Sequence, residues 1–202
     1  MSLLPSSTPG VARRVLLGGL ALAPLVLAGC ANTSKEPATA PEGTLLRDLG
    51  FEGMEAREII DQLEALAIDE RPADVLAAVQ PFELALSDEA GREATLALPE
   101  DEFYLSVAPF LQTTHDCHFH SLTTCTGELQ SQDIDVLVTD GDGAAVVEDT
   151  ITTNPNGFLG LWLPRDRQLT LTCSQDGMRG TVSVSTSGEE AATCLTTLQM
   201  TA

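Results

Sequence analysis

From Asp133 onward, short segments of alternating apolar and polar residues recur at about ten-residue spacing, with turn chemistry between them. Ile134, Val136 and Val138 alternate before Asp140-Gly141-Asp142-Gly143. Val146-Val147 and Thr150 to Thr153 lead to Asn154-Pro155-Asn156-Gly157, and Phe158 to Leu163 carries the only Trp, Trp162. Leu169, Leu171 and Cys173 share a strand phase, Asp176-Gly177 turns, Val182 and Val184 alternate, and Thr193 to Met200 closes the chain. Strands this short bury one face each, and the arrangement that buries several together is a β-sandwich over residues 133–202. Asp140-Gly-Asp-Gly lacks the regular oxygen ligands and distal Glu of a calcium loop and reads as a hairpin turn.

Thr44 to Leu111 has a different rhythm. Ile59, Ile60, Leu63 and Leu66 recur at helical spacing within Met54–Ala67. Pro72 stands where a first-turn proline belongs, which predicts a second helix over Ala73–Val79. Phe82, Leu84 and Leu86 then alternate, Asp88-Glu89-Ala90-Gly91 turns, and Ala94, Leu96 and Leu98 alternate again as a hairpin. Phe103 to Leu111 is a further strand, broken at Pro109. The fold class is therefore α+β: a helix pair plus β-hairpin at 44–111, a junction loop at 112–132, and the sandwich.

The first residues are an address. Arg13-Arg14 precede the apolar run Val15–Ala28, which ends in Leu27-Ala28-Gly29-Cys30. A basic start, a short apolar stretch and small residues before the cut describe an export signal over residues 1–29, too short to span a bilayer comfortably. Cys at the first mature position matches a lipoprotein signal, with lipidation at Cys30; the Arg pair also fits twin-arginine export. Residues 30–43 are small, polar and Pro-containing, a flexible tether. The expected location is the outer face of the cell membrane or the periplasm. A charge of −20 with a single Lys, Lys35, excludes the basic footprint of a nucleic-acid binder.

All three His and two of the five Cys fall between His115 and Cys125, in His115-Asp116-Cys117-His118-Phe119-His120-Ser121-Leu122-Thr123-Thr124-Cys125. Cys-x7-Cys is not zinc-ribbon spacing. Two explanations remain open from these residues alone. Outside the cytoplasm four cysteines can form two disulfides, for instance Cys117–Cys125 and Cys173–Cys194. Alternatively, thiolates select Cu(I) or zinc and imidazoles suit Cu(II) and zinc, which makes this a metal site. In an extended segment, alternation sets His115 and Cys117 on one side and His118 and His120 on the other.

The block Cys117 to Leu129, together with Phe103 to Pro109, Gly157-Phe158, Trp162-Leu163-Pro164 and Thr193 to Thr197, resembles the CueP family of periplasmic copper-binding proteins. The resemblance implies an N-terminal α+β domain, a C-terminal β domain, a homodimer, and a role in copper resistance and supply to other envelope proteins. It also implies copper binding through three cysteines, which fall on Cys117, Cys125 and Cys194. Cys194 must then fold back against the junction loop. His118 and His120 are candidate ligands for Cu(II) capture or entry, an inference from their position beside the cysteines. Cys173 is extra to the three-cysteine pattern, and its strand phase predicts a buried, inert thiol. The leading expectation is a copper-binding envelope lipoprotein, with zinc as the lesser alternative. Two other classes are carried forward: cupric reduction by the same thiols, and a disulfide-stabilised binding module without metal.

Overall fold

The computed structural model describes residues 42–202. The export signal at 1–29, the lipidation site Cys30 and the tether as far as residue 41 lie outside the described residues.

Two short helices come first, α1 (Glu42–Asp48) and α2 (Ala56–Glu64). The Glu58 carboxylate accepts the Glu55 N–H at 2.9 Å, closing the start of α2 on an otherwise unpaired donor. Ile59, Ile60 and Leu63 are fully buried, as their spacing predicts. The helix at α1 was not evident from periodicity.

The predicted helix over Ala73–Val79 is instead a strand, β1 (Val75–Val79). Its burial alternates with period two: Val75, Ala77 and Val79 point inward, and Leu76 is 49% exposed. Seven residues gain little as a helix, because nucleation is costly. As a strand they pair on both edges with other segments. β1 sits between β2 (Glu83–Asp88) and β5 (His120–Ser121) in an antiparallel sheet whose far edge is β3 (Glu93–Ala97). The predicted hairpin is β2–β3, in register from Glu83 opposite Ala97 to Ser87 opposite Glu93. The helices cover one face of this sheet, burying Leu45, Phe51, Ile59, Ile60 and Leu63 with Val79, Leu84 and Leu86.

The rest is the β-rich body. β6 (Asp133–Thr139), β7 (Ala145–Thr152), β9 (Gln168–Gln175) and β10 (Met178–Ser185) form a sheet in the order β10-β9-β6-β7. β4 (Glu102–Val107) lies between β8 (Leu159–Pro164) and β11 (Cys194–Leu195) in a second sheet. Their inner faces share one core, with Phe103, Leu105 and Val107 meeting Ile134, Val136, Leu161, Leu171 and Cys173. The Asp140 turn is closed by its own carboxylate, whose Oδ1 accepts the N–H of Asp142 at 3.0 Å and of Ala144 at 2.9 Å.

β4 is buried on both faces. Its odd positions enter the sandwich core, while Tyr104 joins the core under the helices and lies 4.9 Å from Trp162. Gly160 is required behind it, since a Cβ there would stand 2.5 Å from the Tyr104 hydroxyl. This double burial brings α2, the junction loop and the C-terminal segment to one place.

Candidate metal centre

The junction loop is anchored at both ends. At its start the Glu128 carboxylate accepts three consecutive backbone N–H groups, Leu111, Gln112 and Thr113, at 2.8 to 3.0 Å. Further along, β5 pairs His120 with Val79. Thr193 Oγ1 donates to the Val79 carbonyl at 2.5 Å and accepts the His120 N–H at 3.0 Å. The N–H groups of Thr193 and Cys194 both donate to the His118 carbonyl at 3.0 Å. The C-terminal segment therefore does fold back on the loop, as a site shared by Cys125 and Cys194 requires.

These constraints gather the side chains. Cys117 Sγ lies 3.5 Å from Cys125 Sγ, and Cys194 Sγ lies 3.6 Å from His120 Nδ1. All four cysteines of the described residues are free thiols, so neither Cys117–Cys125 nor Cys173–Cys194 is a disulfide in this structure. Two groups of three donors each fit within 4.8 Å: His115, Cys117 and Cys125, and His120, Cys125 and Cys194. His118 belongs to neither; it is exposed, with its ring 4.6 Å from that of Phe119. Cys173 is buried in the sandwich core, apart from the cluster that holds Cys117, Cys125 and Cys194. With only burial acting on it, its thiol is pushed up to about 12, the signature of an inert side chain.

One functional partner escaped the sequence reading. Glu64, at the end of α2, is buried, and its Oε2 stands 2.9 Å from His120 Nε2. Its other oxygen accepts Ser106 Oγ at 3.0 Å and Asn156 Nδ2 at 3.3 Å. The signal was present: Glu64 follows Ile60 by four residues and so lies on the apolar stripe of its helix. Burial works against a charged carboxylate there, but the charge and hydrogen bond of His120, with Asn156 and Ser106, hold Glu64 below its ordinary range. Burial likewise opposes the imidazolium. Glu64 and Cys125 outweigh it and push His120 up to about 9.

The sulfurs divide one charge unequally. Hydrogen bonds from Cys117 and Cys194 draw the Cys125 thiol far below the ordinary range, assisted by His120. The same hydrogen bond to Cys125 pushes Cys117 up to about 11, and Cys194 is raised by Cys117 and Cys125. Cys125 is thus the sulfur whose thiolate form the surroundings favour. Arg71, 7% exposed, donates to the Cys125 carbonyl at 2.9 Å and keeps Nε and Nη2 unpartnered. It sets a buried positive charge close to that thiolate.

Three sulfurs and two imidazole nitrogens form a soft donor set, suited to Cu(I) and also acceptable to zinc. His115 Nε2 is buried without a hydrogen-bond partner, as expected of a nitrogen kept for a ligand. Nε2–H is given to Glu64, so when the imidazolium of His120 loses a proton to a metal it is Nδ1 that is freed, with its lone pair facing the sulfurs.

Among curated proteins none matches the chain. A family model of the periplasmic copper-binding protein CueP matches residues 58–199. The crystal structure of S.CueP superposes with a TM-score of 0.74 at 36% identity, covering 80% of this chain and 98% of that one. The match spans most of α2, the junction loop, all three sheets and Cys194, and with it the chain belongs to the CueP family of periplasmic copper-binding proteins.

Proposed function

We propose that this protein is an envelope lipoprotein, tethered through Cys30, that captures Cu(I) through the thiolates of Cys117, Cys125 and Cys194 with His120 alongside. The observation that carries the reading is the convergence of three free thiols and a Glu64-oriented imidazole from segments seventy residues apart. Capture and release proceed by ligand exchange, which suits sequestration, copper resistance, or delivery to another envelope protein. The tether limits recipients to those within its reach. A homodimer is the expected assembly, by analogy with the family. His118, exposed beside the cluster, is suited to meeting Cu(II) before it reaches the sulfurs.

The test is a thiol count with a Cu(I) competition titration on the exported protein, before and after mild reduction. Tight uptake that disappears on alkylation supports the reading. No uptake after reduction refutes it.

A second reading rests on the 3.5 Å separation of Cys117 and Cys125. Two thiols so close can join: two Cu(II) ions each accept one electron, an S–S bond forms and two protons leave. A stoichiometric burst of Cu(I) marks an accompanying step. Sustained turnover with an added thiol donor marks a cupric reductase.

A further inference from the structure

The three cysteines and His120 leave His115 unexplained. The geometry points to a second copper position, an outer one built by His115, Cys117 and Cys125, from which Cu(I) passes to the inner group of His120, Cys125 and Cys194. This rests on the copper reading above and adds a route to it.

Three observations support two positions. The donors fall into two groups rather than one, each within 4.8 Å, and Cys125 belongs to both. The groups differ in access: His115 and Cys117 are partly exposed, whereas His120 and Cys194 are buried. Finally, His115 Nε2 is buried with no hydrogen-bond partner, although the imidazole is held by an edge contact with Phe158 at 6.1 Å. The same Phe158 ring backs His120 at 4.7 Å, so one rigid, fully buried side chain positions both imidazoles around the shared sulfur.

Cu(I) first binds one nitrogen of His115 and the sulfurs of Cys117 and Cys125. It then moves inward while keeping its bond to Cys125. The bonds to His115 and Cys117 break as bonds to Cys194 and His120 form. Cys194 gives up its thiol proton as Cys117 takes one up, and His120 releases its Nδ1 proton to solvent, so atoms and charge balance and copper remains Cu(I) throughout. A shared sulfur removes the need for the ion ever to be free.

The test uses the exported protein loaded from a chromophoric Cu(I)–chelator complex. Cys194→Ser blocks the inner group and is expected to hold Cu(I) in the outer position, where X-ray absorption reads two sulfurs and one nitrogen. That nitrogen is expected to vanish when His115→Ala is added. In the otherwise unaltered protein, His115→Ala is expected to slow stopped-flow uptake by about tenfold or more while final affinity changes by less than about threefold. His115 is partly exposed, so this variant reports even if Cys194→Ser fails to fold. Unchanged uptake by His115→Ala, or a nitrogen in Cys194→Ser that survives the loss of His115, overturns the outer position. An affinity loss as large as that of Cys125→Ser also overturns it, because His115 is then a ligand of a single site. If the unaltered protein takes up no Cu(I), it is the copper reading itself that fails.

Discussion

Replacing Glu64 with Gln keeps the shape of the side chain and removes its charge. In the native protein Oε2 accepts from His120 Nε2, while Oε1 accepts from Ser106 and Asn156. Gln can satisfy the latter pair only by turning its amide nitrogen toward His120. Nε2 must then accept, so the neutral ring keeps its proton on Nδ1 and an N–H faces Cys194, whereas the native ring, on losing a proton, keeps the one on Nε2. For the metal-free protein the magnitude follows from linkage. His120 is held at about 9 against an ordinary 6.5. At about 1.4 kcal/mol per pH unit, that gap caps its contribution at about 3 kcal/mol. Cys125 supplies part of the shift and survives the substitution, so the expected loss is about 2 kcal/mol at pH 6. A raised imidazole value gives stability that is complete below 6.5 and lost as pH climbs through about 9. The lowered value of Glu64 gives stability present above its ordinary 4.5 and lost as pH falls. The difference between native and variant proteins in chemical denaturation is therefore expected to be largest near pH 6 and to shrink by pH 9.5. Cu(I) affinity is expected to fall about 10–100-fold, the usual effect of removing a group that orients a ligating His. Nitrogen NMR of His120 above about pH 9, where the native ring too is neutral, reads the tautomer directly. An unchanged tautomer with affinity within about threefold of native refutes the orienting role, and equal pH dependence in the two proteins refutes the linkage.

Cys125→Ser removes the sulfur common to both donor groups and is expected to abolish tight Cu(I) binding in a chelator competition, whereas Cys117→Ser is expected to slow Cu(I) uptake through the outer group. Cys173→Ser is expected to leave Cu(I) binding intact and to cost about 1–3 kcal/mol in denaturant melts, since it buries a hydroxyl in an apolar core; copper loss equal to that of Cys125→Ser would refute its assignment as packing. Gly157→Ala is expected to destabilise by about 2 kcal/mol or more, because φ is +82° and the new Cβ would stand 2.5 Å from the Gly127 carbonyl oxygen. A thermal melt checks it, and a native-like midpoint would show that the two backbones can separate freely. Asp140→Ala is expected to cost about 1 kcal/mol through two lost backbone hydrogen bonds, with no calcium-dependent stabilisation in either protein by the same melt.

The sandwich was legible because its strands carry their own punctuation. Alternation at Ile134, Val136 and Val138, or at Leu169, Leu171 and Cys173, states which face is buried, and the Asp-Gly and Asn-Gly turns state where each strand stops. Ala73–Val79 misled because Val75, Leu76 and Val79 satisfy helical spacing as well as Val75, Ala77 and Val79 satisfy strand spacing. What decided was pairing with β2 and β5, two partners that local sequence does not name. β4 shows the same limit from another side. Its apolar run announces burial, yet nothing local says that its two faces enter different cores.

The metal centre divides along a similar line. Its candidate donors other than Cys194 could be found because thiols and imidazoles are rare and are concentrated in one window. The groups that set their chemistry were hidden, since Glu64 and Arg71 are among 40 charged-acid or basic residues and differ from the rest only by where the fold places them. Glu64 reaches His120 because α2 packs across β4, and Arg71 reaches the Cys125 carbonyl because the chain turns into β1 beside the loop. A ligand list alone would predict three interchangeable thiols. With Glu64, His120 and Arg71 in place the thiols are not equivalent: their surroundings draw the Cys125 thiol down and push those of Cys117 and Cys194 up. That inequality suits a copper-binding site. A thiolate already formed can take the first bond to an arriving ion, and neighbours still protonated can be recruited as it settles and released when it leaves.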